Sequence, residues 1–531
     1  MLKLKKMEKN YEKNNKMEMK NTKQNYLENN EENCKNKNKD KTKHSDITQY
    51  KSIFEFRFNK LIAYNYSFII FIELLVKCSY CLCKFKFQYS EVTLKIKETG
   101  NIKILSDSFF QLYNQCEIYI NEVHKDTLMN EYNLEENEEN INIVKIIWNT
   151  DIASTESMFL NCAKISEIDL SFFNSTLVGN MNSMFSGCSS LTSLNLNNFD
   201  TSLVTDMSQI FLNCSSLIYL DISKFITSKV TNMYSLFYGC SSLISLDLSN
   251  FDTSQVTSMD FMFNRCSSLT LLNLSNFNTS LVENMNNMFY ECYSLNYLDV
   301  SNFDTSKVTD MNNMFYNCSN LNFLDLSNFK TSKVKNMNNM FNLCSKLNSI
   351  DLSSFDISQV TDMNRMFVDC KSLISLNITN FNTSKVKEMT KMFCDCSNLI
   401  SLDLSNFKTP LVNNMNNMFR GCTNLTSLYL SNFDTSKVQN MNFMFYGCKN
   451  LISLNLSNFY TRLVNRMEYM FSGCSKLNIL DLSNFNTSLV IDMYNMFNGC
   501  SNLNSLDLSN FNTSKVTNMS RMFNRCSNLY S

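Results

Sequence analysis

The chain has 531 residues, 44% hydrophobic and 18% charged, with 48 Lys+Arg against 49 Asp+Glu. A net charge of −1 lacks the cationic surplus that neutralising phosphates needs, which argues against a nucleic-acid partner. With only 8 Gly and 1 Pro the chain is neither collagen-like nor Pro-rich; its 2 His, His44 and His124, precede residue 150, leaving no His-based triad or His-ligated metal beyond it.

Residues 1–58 read as a disordered tail. They are rich in Lys, Asn and Glu, and the stretch from Glu8 to Asn38 is almost free of apolar side chains, so it cannot offset its ordering entropy. Residues 59–84 hold the one long apolar stretch. Its core, Phe68 to Val76 followed by small residues and Cys, has the character of a secretory h-region, although it lies far from residue 1. Asn65, Glu73 and Lys77 make it a poor spanning helix, so a targeting or signal-anchor segment is expected, with a buried helix or strand as the alternative. Membrane association through residues 61–84 follows from the first reading. Cys78, Cys81 and Cys83 have no second ligand pair at zinc-site spacing.

Residues 85–149 alternate as short strands, with Val92, Leu94 and Ile96 followed by Ile102 and Ile104, Ile118 and Ile120, then Ile141, Ile143 and Ile146. A small β-rich N-terminal cap is expected here, because a solenoid must cover the apolar end of its first coil. A separate ligand-binding β-domain is the alternative.

From residue 150 to 531 one unit repeats. Cys162, Cys188, Cys214 and so on to Cys526 recur every 26 residues without an insertion, and Phe stands three residues before each, from Phe159 to Phe523. A strict period of this size marks a solenoid of about 14 coils. Within one unit Leu194, Asn195 and Leu196 alternate as a half-buried strand. Met207, Ile210, Phe211 and Cys214 fall at i, i+3, i+4 and i+7, the stripe of a short helix. Turn formers from Asn198 to Ser202 lie between them, and Asn is expected to supply any positive φ there. The expected fold is therefore α/β, a leucine-rich-repeat-like solenoid with one short parallel strand and one short helical segment per coil. The sequence stops inside a coil at Cys526-Ser-Asn-Leu-Tyr-Ser531 without a clear cap, which leads us to expect truncation, continuation elsewhere or end-to-end self-association.

The phrase Ser-Leu-Ile-Ser-Leu-Asp-Leu-Ser-Asn-Phe-Asp-Thr-Ser-Gln-Val-Thr-Ser-Met at 242–259, followed by Met262-Phe263-Asn-Arg-Cys266, resembles the BspA-like leucine-rich-repeat surface protein family. The resemblance covers about residues 150–531. It implies an extracellular, surface-displayed solenoid associated with adhesion, without enzyme activity, and it names no ligand.

In-register repetition turns each coil position into a column. The Cys column reads as reduced, inert and interior, since Cys is a small and readily buried hydrophobe. The outward strand position holds nine carboxylates, among them Asp299 and Asp325, expected to form a solvated acidic face. Two residues earlier the same face is mostly Ser but departs to Tyr219, Leu271, Tyr297 and Phe323. Leu271, Tyr297 and Phe323 occupy three consecutive coils and, with Tyr219, Asp299 and Asp325, form the candidate binding site. No catalytic residue, metal site or cofactor is expected, because the repeats offer Asp columns without His partners. The expected function is a binding or adhesion module for a protein or glycan ligand, at the cell surface or secreted. The alternative is an intracellular or purely structural scaffold in the cytoplasm.

Overall fold

A computed structural model describes residues 89–530, so the expectations for residues 1–58 and 59–84 fall outside the described residues. The described chain begins with an antiparallel sheet. In β1 (Ser90–Ile96) alternate residues Ser90, Val92, Leu94 and Ile96 are buried, the period of a strand with one covered face. β6 (Asn142–Trp148) pairs antiparallel with β1 on one side and with β3 (Cys116–Ile120) on the other. β4 (Val123–His124) closes a hairpin on β3, and β2 (Gly100–Lys103) pairs with β5 (Glu131–Leu134). The single described helix, α1 (Asp107–Leu112), starts at Ser106, whose hydroxyl accepts the Phe109 N–H at 3.1 Å. Trp148 is buried between Phe109 and Phe173 and donates its indole N–H to the Tyr113 carbonyl at 2.8 Å.

The free edge of β1 pairs antiparallel with β7 (Glu167–Asp169), the strand of the first coil, through Thr93–Asp169, Leu94–Ile168 and Lys95–Glu167. From there the pairing turns parallel, β7 with β8 (Ser193–Asn195). Further parallel pairs are β9 (Ser245–Asp247) with β10 (Leu271–Asn273), and β11 (Ser349–Asp351) with β12 (Ser375–Asn377). Beyond them β13 (Ser401–Asp403) pairs with β14 (Ser427–Tyr429), and β15 (Ser453–Leu454) with β16 (Ile479–Leu480). Every partner is 26 residues away, so the chain is a β-solenoid of 26-residue coils. The interior is filled by Leu, Val, Met, Phe and Cys columns that are nearly all fully buried. Phe159 to Phe523 stack ring on ring in unbroken succession, with centroids 5.5–5.8 Å apart.

The helical segment expected in each coil does not form. In the coil around Asp310, residues 311–318 make tandem turns in which alternate amides go in different directions. Met311, Asn313, Phe315 and Asn317 donate to Asn336, Asn338, Met340 and Asn342 of the next coil at 2.7–3.1 Å. Met314, Tyr316 and Cys318 donate three residues back within their own coil at 3.0–3.2 Å. Positive φ at Asn313 (54°) and Asn317 (56°) breaks any right-handed helix every fourth residue. The reason is spacing. Packed helices stand about 8–10 Å apart, whereas the coils bring their rings to within 5.5–5.8 Å of one another across that very segment. A thin ladder of turns fits the spacing of strands, and a helix does not. The i, i+3, i+4, i+7 stripe is nevertheless honoured, since Met311, Met314, Phe315 and Cys318 all point inward and are fully buried.

The positive φ expected from Asn in the Asn198–Ser202 turn lies instead at Gln209 and Asn213. The register of Asn213 and Asn317 also holds Gly187, Gly239 and Gly421, which tolerate that conformation without a Cβ clash. The corners are built by Asx turns. In one coil Asp299, Asp304 and Asp310 each accept the N–H two residues on, from Ser301, Ser306 and Asn312, at 2.9–3.0 Å. A buried Thr column ties the coils together. The Thr305 hydroxyl donates to the Lys330 carbonyl at 3.0 Å and accepts the Lys330 N–H at 2.7 Å. An Asn column does the same on the next side, as where Asn328 donates to the Ser301 carbonyl at 2.9 Å.

Candidate ligand-binding face

The strand side of the stack presents its alternate residues to solvent, because Leu at the intervening positions is drawn into the core. Tyr219, Leu271, Tyr297 and Phe323 stand on this face with 67%, 69%, 60% and 56% of their surface exposed. Ser at the same register, as in Ser245, Ser349 and Ser375, barely rises above the sheet. Leu271, Tyr297 and Phe323 form a ridge over three successive coils, and Tyr219 stands two coils before Leu271 with Ser245 between them. No ladder strand spans the Tyr297 and Phe323 coils, so the described sheet is interrupted beneath the ridge.

The steps beside the ridge are depressions. Tyr219 and Leu271 wall one of about 530 Å³, with Ser245, Asp221, Asp247 and Asn273 around its floor. Phe323 walls another of about 560 Å³, bordered by Asp325, Ser349, Asp351, Ser375 and Asn377. Of the residues singled out in the sequence, Tyr219 and Leu271 thus share one depression, and Phe323 and Asp325 the other. Tyr297 and Asp299 lie on the ridge between the two.

The acidic column has a second task. Asp299 and Asp325 are exposed as expected, but each Oδ1 also accepts a backbone N–H, from Ser301 at 3.0 Å and Ser327 at 2.9 Å. These bonds close the turn that follows each strand. The N–H and hydroxyl of Ser327 hold the Asp325 carboxyl below its ordinary range, as Ser353 does for Asp351. Asn at this register serves the same turn, and Asn273 also donates to Asp247 Oδ1 at 3.0 Å. Each carboxylate is engaged by its own turn and the column is flat, a poor cage for Ca²⁺, which takes six to eight oxygens. Among the described residues no group of three or more His, Cys, Asp or Glu side chains is placed to hold a metal ion.

The Cys column faces inward. Each described thiol of the column from Cys188 to Cys500 is buried and unbridged. Burial pushes the Cys240, Cys292, Cys344 and Cys474 thiols up to about 12, which keeps them protonated and unreactive.

The tandem-turn side carries aromatic residues that column-by-column reading of the strand face passes over. Tyr290 stacks on Tyr316 with centroids 4.5 Å apart, and Phe443 on Tyr469 at 4.6 Å. Arg265 Nε pairs with Glu291 at 3.1 Å, and the Arg420 guanidinium lies 5.8 Å above the Tyr446 ring. Their signal was the same 26-residue alignment, applied to the segment that reads as helix. These rings are half-buried and already paired with one another, so they present less free surface than the ridge.

Among the described residues no helix is long and apolar enough to cross a membrane. A family model described as "Mycoplasma protein of unknown function, DUF285" matches residues 127–219, 217–298, 294–401, 374–478 and 446–531. No curated protein matches. A solved structure, the "Crystal structure of TLR13-ssRNA13 complex", is similar at 18% identity over 68% of this chain, with a TM-score of 0.16. The match spans 58% of that structure's chain.

Proposed function

The chain belongs to the DUF285 family, and from that premise we propose that it is a non-enzymatic interaction scaffold whose strand face binds a partner. The observation that supports this most is the exposed ridge of Leu271, Tyr297 and Phe323 on a face otherwise lined by Ser, Asp and Asn. Large apolar side chains held rigidly in solvent on consecutive coils are the anchors that protein and glycan contacts use. The repeat resembles the BspA-like surface family in its Leu-Asp-Leu-Ser-Asn-Phe-Asp-Thr-Ser phrase. Display at the cell surface or secretion, with a role in adhesion to a protein or glycan, is the finer form of the reading. A near-neutral net charge argues against nucleic acid as the partner.

A second reading, an intracellular or purely structural scaffold, draws on the free thiols. All seventeen described cysteines are unbridged, as in proteins of reducing compartments. Protease shaving of intact cells separates the two: loss of the repeat region supports surface display, and full protection of a protease-sensitive array defeats it. For the face itself, Tyr297→Ser with Phe323→Ser is expected to abolish capture of the partner that the unaltered chain binds. Undiminished capture removes the ridge from the account.

A further inference from the structure

The two depressions beside the ridge share one design. Each has a bulky wall, Tyr219 in one and Phe323 in the other, then a step down to Ser245 or Ser349 on the next coil. Each has two carboxylates on adjacent coils, Asp221 with Asp247 and Asp325 with Asp351, and an Asn on the coil beyond, Asn273 or Asn377. The designs lie four coils apart, which at ~4.8 Å per strand spacing is ~19 Å.

Within each pair the carboxylates stand exposed on adjacent coils, and donors from Ser223, Ser249, Ser327 and Ser353 hold all four below the ordinary carboxyl range, so each depression presents two adjacent anions. No salt bridge reaches Asp221, Asp247, Asp325 or Asp351 among the described residues. Lys224 donates its ammonium to the Asn197 carbonyl at 3.2 Å, and its charge also lowers the Asp221 carboxyl, offsetting part of the charge in that depression. Backbone and hydroxyl donors engage one side of each carboxylate and leave the other to solvent. A cation with an aliphatic stem complements such a site at both ends. The stem lies along the Tyr or Phe wall and the charge meets the carboxylate pair. Neutral sugar hydroxyls cover the ring but bring no charge to the two carboxylates.

We infer that the strand face takes an extended peptide with two basic side chains six residues apart, one in each depression, its backbone crossing the Leu271–Tyr297–Phe323 ridge. Six residues of extended chain span ~20 Å and, being an even number, put both side chains on one face. The inference rests on the strand face being the binding surface and adds the chemistry and spacing of its partner.

The test uses the full chain and labelled synthetic peptides of Thr, Ser and Val that carry two lysines six residues apart, two lysines three residues apart, or glutamines in place of lysines. Fluorescence polarisation is expected to show the six-apart peptide binding at least about tenfold tighter than either control. Asp221→Asn with Asp247→Asn, and separately Asp325→Asn with Asp351→Asn, are each expected to weaken it by about fivefold. Asn stands natively in this column at 195, 273 and 377 and keeps the turn bond, so these variants fold. Equal binding of all three peptides, no binding of any, or indifference to the Asn variants overturns the inference. Binding of a neutral glycan that depends on Tyr297, without peptide binding, overturns the dibasic partner and leaves the face intact. Independence of Tyr297 for every ligand found overturns the face and the inference together.

Discussion

The Cys318 thiol donates to the backbone carbonyl of Phe289 in the preceding coil, with sulfur and oxygen 3.1 Å apart. The same carbonyl accepts the Cys292 N–H at 3.3 Å, so both of its lone pairs are used in the dry interior. The relationship repeats from Cys188–Phe159 to Cys526–Phe497. It gives a reason for Cys rather than Ala or Val at this register: a side chain small enough for the stack that also carries a donor for a buried acceptor.

The thiols set an alkaline limit on the fold. Their folded pKa values are raised by burial, so the protonated form is favoured in the folded state. That contribution is fully present below the unfolded thiol pKa of about 8.5 and is lost as pH rises above it. The urea midpoint is expected to hold steady from pH 6 to 8 and fall steeply between about pH 9 and 12. A midpoint unchanged at pH 10.5 contradicts the buried column. Thiol reagents at pH 8 should likewise modify Cys526, which is only half-buried, before Cys188 to Cys500.

The Thr column predicts a pair of opposite results. Thr305→Val strands both the N–H and C=O of Lys330 and should cost about 1–3 kcal/mol. At the same register Ile357 replaces Thr, and no hydroxyl from that position meets Asn382. Ile357→Thr is therefore expected to be near neutral in urea denaturation, because the new hydroxyl gains two backbone partners. The same change at buried Ile222, outside the column, should cost about 2 kcal/mol or more.

Backbone strain predicts where Gly helps. Leu343 holds φ 63° at the register occupied elsewhere by Gly447. Leu343→Gly should stabilise the chain by up to about 1 kcal/mol. Gly447→Ala should destabilise by a similar amount, and through strain alone, since an added Cβ clears its neighbours by 3.9 Å. Thermal denaturation of the two variants checks the sign of each.

The ridge is expected to be energetically idle in folding. Tyr297→Ser and Phe323→Ser remove side chains that are more than half exposed, so stability should move by no more than about 0.5 kcal/mol. Asp325→Ala, by contrast, removes the acceptor for Ser327 and should cost about 1 kcal/mol, while Asp325→Asn keeps it. A large loss of stability in the ridge variants would show that these residues serve the fold.

The period and the buried columns were legible in the sequence because every coil repeats them. Leu191, Phe199, Val204, Met207 and Phe211 are all interior as their spacing implies. The helix was misread because Met207, Ile210, Phe211 and Cys214 satisfy a helical stripe and a tandem-turn ladder equally well. What decides between them is the distance to the next coil, which no pattern within one coil contains. Gly187 and Gly239 at the register of Asn213 were the available clue, since recurrent Gly and Asn mark positive φ. On the candidate face, the columns put Tyr219, Leu271, Tyr297 and Phe323 on one exposed surface. The pairing of carboxylates with aromatic walls needed coordinates, because it depends on the height of Ser245 and Ser349 relative to their neighbours.

The measurement that bears most directly on the stack is a ladder of electron-spin distances along the strand face. With Cys34, Cys78, Cys81, Cys83 and Cys526 replaced by Ser, spin labels at Ser245→Cys paired in turn with Ser349→Cys, Ser401→Cys and Ser453→Cys probe separations of four, six and eight coils, and the buried column thiols stay unlabelled. Stacked coils predict backbone separations that start near 19 Å and grow by roughly 10 Å with each pair of coils. Distances that do not lengthen in coil order would show that these residues are not aligned in one column, and the binding face would go with it.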